Sequence, residues 1–170
     1  DLGVMALKGT YTGSLTDFTA DLLLQSELGQ LRTNTTFNFT SDYANAAYKG
    51  KIALQQFDMG KVIGDSLLST VTLSAEIEGE GLQTNDWNTQ LSAVISDLSY
   101  KGYTYDSLQL NGRLEASVFN GFAQLKDPNL AFTYEGLISL VDTMPAYQFT
   151  LQVDTVAFKA LGLSEEPLGL

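Results

Sequence analysis

The chain has no cysteine and no histidine in 170 residues. Disulfides, thiolate metal sites, imidazole bases and imidazole ligands are excluded together. Ser-His and Cys-His nucleophile arrangements go with them. Positive charge is also scarce, with 9 Lys and Arg against 20 Asp and Glu and a net charge of −11. No basic patch is available to neutralise phosphates, which argues against nucleic acid, and the acidic balance chiefly promotes solubility. Long apolar runs are missing as well. The longest aliphatic run is Leu22-Leu23-Leu24, so these residues hold neither a signal peptide nor a spanning helix. The chain opens on Asp1 and closes on Glu165-Glu166-Pro167-Leu168-Gly169-Leu170. The expectation is one β-rich segment, 1–170, cut from a longer repetitive protein whose anchor lies elsewhere.

What is present is a repeated phrase: apolar, polar, Gly, any residue, apolar. It reads Leu110-Asn111-Gly112-Arg113-Leu114, Phe119-Asn120-Gly121-Phe122-Ala123 and Tyr134-Glu135-Gly136-Leu137-Ile138, with an earlier copy at Tyr48-Lys49-Gly50-Lys51-Ile52. Residues around each Gly alternate as a strand with one buried face requires. Each Gly falls at an apolar-face position, where it lets a strand bend or another backbone come close. Gly50, Gly79, Gly112, Gly121 and Gly136 are therefore the candidate structural glycines.

Alternation continues along the chain. Leu22 and Leu24, then Phe37 and Phe39 in a strand from Leu31 to Thr40, and Ile52 and Leu54 take one side of their strands. Val71, Leu73 and Ile77 oppose Thr72, Ser74, Glu76 and Glu78. Leu91 and Ile95 change parity to Leu98 and Tyr100, which predicts a bulge near Ser96-Asp97. Leu108, Leu110 and Leu114 precede the turn Asp127-Pro128-Asn129. Leu130, Phe132, Tyr134, Ile138 and Leu140 alternate next. After Met144-Pro145 the cleanest strand follows, with Tyr147, Phe149, Leu151 and Val153 against Gln148, Thr150, Gln152 and Asp154. The period changes twice, near Met59–Ile63 and Ala157–Leu161, where one helical turn each is predicted, stopped by Gly64 and Gly162. Lys61-Val62-Ile63-Gly64 and Lys159-Ala160-Leu161-Gly162 match at an offset of roughly 98 residues, the signature of a long structural repeat. About ten strands and two helical turns make the fold all-β.

Candidate chemistry is thin. Glu76, Glu78 and Glu80 lie roughly 7 Å apart on one strand face, too far to share a proton. A solvated face is the simpler reading and calcium binding the other. Asp58, Asp86, Asp97, Asp106, Asp127 and Asp154 sit at turns or on polar faces, which turn chemistry explains better than glycosidase-type catalysis. Tyr48, Tyr100, Tyr103, Tyr105, Tyr134 and Tyr147 suit sugar stacking or, more commonly, a half-buried sheet. No enzyme, cofactor or metal is expected.

Several segments in order carry a resemblance: Phe57-Asp58-Met59-Gly60-Lys61, Glu76-Ile77-Glu78-Gly79-Glu80-Gly81, Lys101-Gly102-Tyr103-Thr104-Tyr105, and Lys126-Asp127-Pro128-Asn129-Leu130 leading to Gly136. Over most of Tyr48 to Leu163 the sequence resembles the AsmA-like superfamily and, within it, the TamB translocation and assembly module family of Bacteroidetes type. The resemblance implies a periplasmic envelope protein anchored in the inner membrane, similar to bridge-like lipid-transfer proteins, whose sheet curls into a U-shaped β-taco. It implies phospholipid or another acyl-chain ligand, neighbouring repeats of the same chain, and an outer-membrane Omp85-type barrel reached through regions outside these residues. Outer-membrane biogenesis is the implied output.

The residues alone leave two ways to cover a long apolar face: a closed β-sandwich, or a curled antiparallel sheet with an open groove. The regular glycines and the resemblance favour the groove. Its proposed lining is Leu22, Leu24, Phe37, Phe39, Ile52, Leu54, Val71, Leu73, Ile77, Leu91, Ile95, Leu108, Leu110, Leu114, Phe132, Tyr134, Ile138, Phe149, Leu151 and Val153. A lipid conduit is the first functional expectation, a structural or adhesive β-repeat without ligand the second, and a carbohydrate-binding sandwich the third.

Overall fold

The structure, a computed structural model, describes residues 4–39, 46–83, 87–139 and 146–162. Thr40, Asp86, Leu140 and the Met144-Pro145 pair fall outside the described residues. Alternation becomes ten strands: β1 (Met5–Gly13), β2 (Asp17–Ser26), β3 (Gly29–Asn38), β4 (Ala47–Asp58), β5 (Leu68–Glu80), β6 (Asn88–Tyr100), β7 (Tyr103–Glu115), β8 (Val118–Lys126), β9 (Leu130–Ser139) and β10 (Tyr147–Val156). One short helix, α1 (Met59–Ile63), lies between β4 and β5. Strands hold 76% of the described residues. They form one antiparallel sheet in sequence order from β1 to β10, and the sheet does not close.

Each strand packs on its neighbours in this meander, and α1 adds a contact to β5. No second sheet lies against the first among the described residues, so the closed-sandwich alternative is not the architecture. The exposed area agrees. The 18.5 kDa chain exposes 11196 Å², against about 8,200 Å² for a compact monomer of that mass. Among the described residues no large side chain is completely buried. The fold is a single curled layer.

The helical turn at Met59–Ile63 forms for the reasons its sequence gives. Asp58 caps the N-terminus, its Oδ1 accepting from Lys61 N at 3.0 Å, and Gly64 closes the C-terminus in the left-handed region at φ 75°. Met59 packs, with Leu31 and Leu73, on a small core of Leu28, Leu54 and Phe57. The second helical turn, expected at Ala157–Leu161, is a hydrogen-bonded turn that does not extend into a helix. Leu161 N donates to Ala157 O at 3.1 Å and Gly162 N to Lys159 O at 3.2 Å, too short a run to propagate. Gly162 is nonetheless left-handed at φ 65°, like Gly64.

The turn at Asp127-Pro128-Asn129 is stapled by one carboxylate. Asp127 Oδ1 accepts from Tyr103 Oη at 2.7 Å, Asn129 N at 2.8 Å and Leu130 N at 3.3 Å, while Oδ2 accepts from Asp106 N at 3.2 Å. Asn129 Nδ2 donates in turn to Tyr103 Oη at 2.8 Å. Burial pushes the Asp127 carboxyl up, but these hydrogen bonds outweigh it and hold the group below the usual range. The hydrogen bond to Asp127 pushes the Tyr103 phenol up. Tyr103 therefore ties the β8–β9 turn to β7.

Candidate ligand-binding face

Strand register decides which residues share a surface, because a side chain follows its directly opposed partner onto the same face. Starting from Leu7, the opposed residues across the sheet are Leu24, Leu31, Leu54, Leu73, Ile95, Leu108, Leu125, Phe132 and Val153. This row crosses all ten strands without a polar residue. The next row runs Gly9, Leu22, Thr33, Ile52, Ala75, Ala93, Leu110, Ala123, Tyr134 and Leu151. Two further rows contain Gly50, Ile77, Leu91, Gly112, Gly121, Gly136 and Phe149, and then Phe18, Phe37, Tyr48, Gly79, Leu114, Phe119, Ile138 and Tyr147.

The structure thus brings the proposed lining together on one face. Val71 joins it through its pairing with Phe57 and Leu98. Phe39, just past β3, joins through ring stacking on Phe18 and Phe37, with centroids 5.8 and 5.9 Å away. Leu73 and Leu151 lie on the same face, in adjacent rows.

That face survives an interruption. Past Leu54, residue Gln56 is inserted at φ 48° and shifts the register so that Phe57 opposes Val71. On β6 the register slips between Ile95 and Asp97, leaving Ser96 as the extra residue, as the parity change predicts. Ser107 on β7 answers it at φ 53°. Each extra residue restores the apolar side, so Phe57, Leu98, Tyr100, Tyr103 and Tyr105 stay on the face that Leu54, Ile95 and Leu108 occupy. The irregularities on β6 and β7 sit side by side, and β5, which has a register shift of its own between Leu68 and Val71, separates them from that on β4.

Three glycines in register, Gly112, Gly121 and Gly136, make a strip without side chains on β7 to β9. A Cβ at Gly121 would stand 2.4 Å from Asn111 O and 2.6 Å from Gly112 Cα. At Gly136, φ 151°, it would stand 2.3 Å from Gln148 O. Neighbouring backbones approach here more closely than any side chain tolerates, which is how glycine lets a sheet bend. The Phe119 ring lies over this strip, against both Gly112 and Gly121.

The opposite face is mostly polar, with Leu23, Val94, Phe122 and Leu137 set among paired polar groups. Lys49 Nζ meets Glu78 at 2.7 Å and Lys51 Nζ meets Glu76 at 2.7 Å, all four well exposed. Hydrogen bonding to its glutamate, then the charge beside it, raises each lysine, and the bond from Lys51 lowers Glu76. Two of the three glutamates are therefore occupied by lysine rather than arranged around a cation. Asp21 with Asn34, Ser92 with Asn111, and Arg113 with Asn88 continue the pairing. A depression of about 560 Å³ on this side is walled by such paired groups, Lys51 and Glu76 among them. On the apolar face a depression of about 510 Å³ lies among Thr33, Phe37, Tyr48, Ile77, Trp87 and Leu91.

The proposed lining omits several members of the apolar face. Phe18, Leu31, Phe57, Leu98, Phe119 and Leu125 belong to it, as do the small residues Ala75, Ala93 and Ala123. Alternation read through the bulges would have found Phe57 and Leu98. Alternation already sets Ala75 with Val71, Leu73 and Ile77, and Ala93 with Leu91 and Ile95. The tyrosines do not form one sugar-stacking platform. Tyr103 and Tyr105 meet edge-on at 4.7 Å near Asp127 on β7, while Tyr134 packs on Phe149 across β9 and β10.

Comparison with known proteins finds no matching family model, no matching curated protein and no matching solved structure.

Proposed function

We propose that the chain is a segment of a bridge-like envelope protein of the AsmA-like, TamB type, whose apolar face carries phospholipid acyl chains toward the outer membrane. The observation that carries this reading is the uncovered apolar face. Four rows of side chains run across β1 to β10, nearly all apolar, with a mostly polar face behind them. Ten strands at ~4.8 Å spacing make a strip about 45 Å long, enough for an extended acyl chain to lie along the rows. Each apolar side chain withdrawn from water contributes about 1.5–3 kcal/mol when fully buried. A single layer leaves part of that gain unrealised, and hydrocarbon laid along the rows would recover it.

The chain acts in this reading as a binding surface without turnover. The paired charges on the outer face keep it soluble in the periplasm, and the anchor belongs to the inner membrane. The test is native mass spectrometry of the chain purified from a bacterial envelope without detergent. Bound phospholipid supports the conduit. Repeated isolation free of lipid overturns it in favour of a β-repeat that only spaces its neighbours.

A further inference from the structure

One polar atom on the apolar face has no partner. Tyr134 Oη is buried and makes no hydrogen bond, and the residue is 8% exposed. Its opposed neighbours are Ala123 and Leu151, and along its own strand the same face shows Phe132 and Gly136. Its ring meets that of Phe149 with centroids 5.3 Å apart. None of these side chains offers an acceptor. A trapped water is a poor answer, because a buried water needs two to four polar partners, and Tyr134 supplies one. Phenylalanine would fill the same space without leaving a hydroxyl unpaired, and buried hydroxyls are nearly always paired. Burial pushes the phenol up, so it stands as a neutral donor. The missing acceptor has to arrive on a molecule otherwise compatible with hydrocarbon walls.

We propose that Tyr134 is the polar anchor of this face: its Oη–H donates to a carbonyl or carboxylate oxygen of a long-chain acyl ligand, a fatty ester or a fatty acid. The proposal rests on the reading above that acyl chains lie along the rows. The glycine strip beside Tyr134 is filled by crossing backbones and the Phe119 and Phe149 side chains, so the acceptor reaches Oη by displacing a neighbouring ring. Phe149, the ring next to Tyr134, is 48% exposed and has room to turn aside. An anchor of this kind fixes where a chain's polar end rests, so the face selects acyl compounds over plain hydrocarbon.

The experiment is fluorescence titration of the delipidated chain and Tyr134→Phe with cis-parinaric acid, its methyl ester, and diphenylhexatriene, a hydrocarbon with no acceptor. The expected result is affinity for acid, ester or both weakened about three- to tenfold in Tyr134→Phe, the scale of one net hydrogen bond, with diphenylhexatriene unchanged. Weakening of the acid alone assigns a carboxylate, and of the ester alone an ester carbonyl. Equal effects on all three probes, or none, overturn the anchor and leave the apolar face as a binding surface. A parent chain that binds no probe overturns the underlying reading and the anchor with it. A ligand-free melt of Tyr134→Phe at or above the parent's is expected. A lowered melt would show that the hydroxyl already has a structural partner and would also overturn the anchor.

Discussion

Substituting Gly121 by alanine tests whether the bend in the sheet is built by the glycine strip. The added Cβ would meet Asn111 O at 2.4 Å, Gly112 Cα at 2.6 Å and Phe119 Cζ at 2.8 Å. Phe119 can rotate away, but the first two atoms are backbone of β7 and move only with the strand. Restoring ordinary contact needs β7 and β8 to part by roughly 1 Å, which strains the ladder between them. Overpacking of this size costs about 1–3 kcal/mol. For a chain of this length that lowers the melting temperature by about 2–12 °C, at about 2–4 °C per kcal/mol. The assay is thermal unfolding followed by far-ultraviolet circular dichroism. Asn120→Ala, on the opposite face, is the control and should stay within about 0.5 kcal/mol of the parent. A Gly121→Ala melt indistinguishable from that control would refute the argument, since the strip would then be tolerated rather than required.

Two further outcomes follow from the same geometry. Asp127 is depressed in the folded state, so its stabilisation is complete above the ordinary carboxylate value of about 3.9 and fades as pH falls through the lower folded value. Asp127→Asn should cost about 1–3 kcal/mol at neutral pH and flatten the acid limb of a stability–pH curve; an unchanged limb would show that the staple is not what titrates. Ile95→Asp, on the apolar face at 9% exposure, should lower stability by about 2–4 kcal/mol and abolish acyl binding. Val94→Asp, 48% exposed on the polar face, should do neither, and equal effects at the two sites would contradict the assignment of faces.

How much of this was legible depended on whether one residue could choose its side. Val71 to Ile77 and Leu108 to Leu114 alternate strongly, so their shared face was readable from period alone. Ser96 was readable because Ile95 and Leu98 sit on either side of a parity break. Gln56 and Ser107 leave the same trace, a three-residue step from Leu54 to Phe57 and from Tyr105 to Leu108, but with shorter alternating runs on one side of each. The strand from Tyr147 to Val153 shows the opposite lesson. Its pattern is the cleanest, yet β10 stands at the end of the strand order and Leu151 is 51% exposed, so Ile95 is the sharper site for a charge. The period change at Ala157–Leu161 was real, but one turn without an N-terminal cap stayed a turn. Register was beyond the sequence altogether. That Gly112, Gly121 and Gly136 oppose one another, and that Tyr134 lacks a partner, depends on how strands pair across the sheet.

The central claim is that acyl chains lie on one face of this sheet and not on the other. Photo-crosslinking residues placed singly at Leu73 and Ser74 test it directly, because these neighbours on β5 point to opposite faces. After irradiation in a bacterial envelope, the account predicts phospholipid adducts by mass spectrometry from position 73 and none above background from position 74. Equal adduct yields from the two positions, or protein adducts alone from position 73, would contradict it.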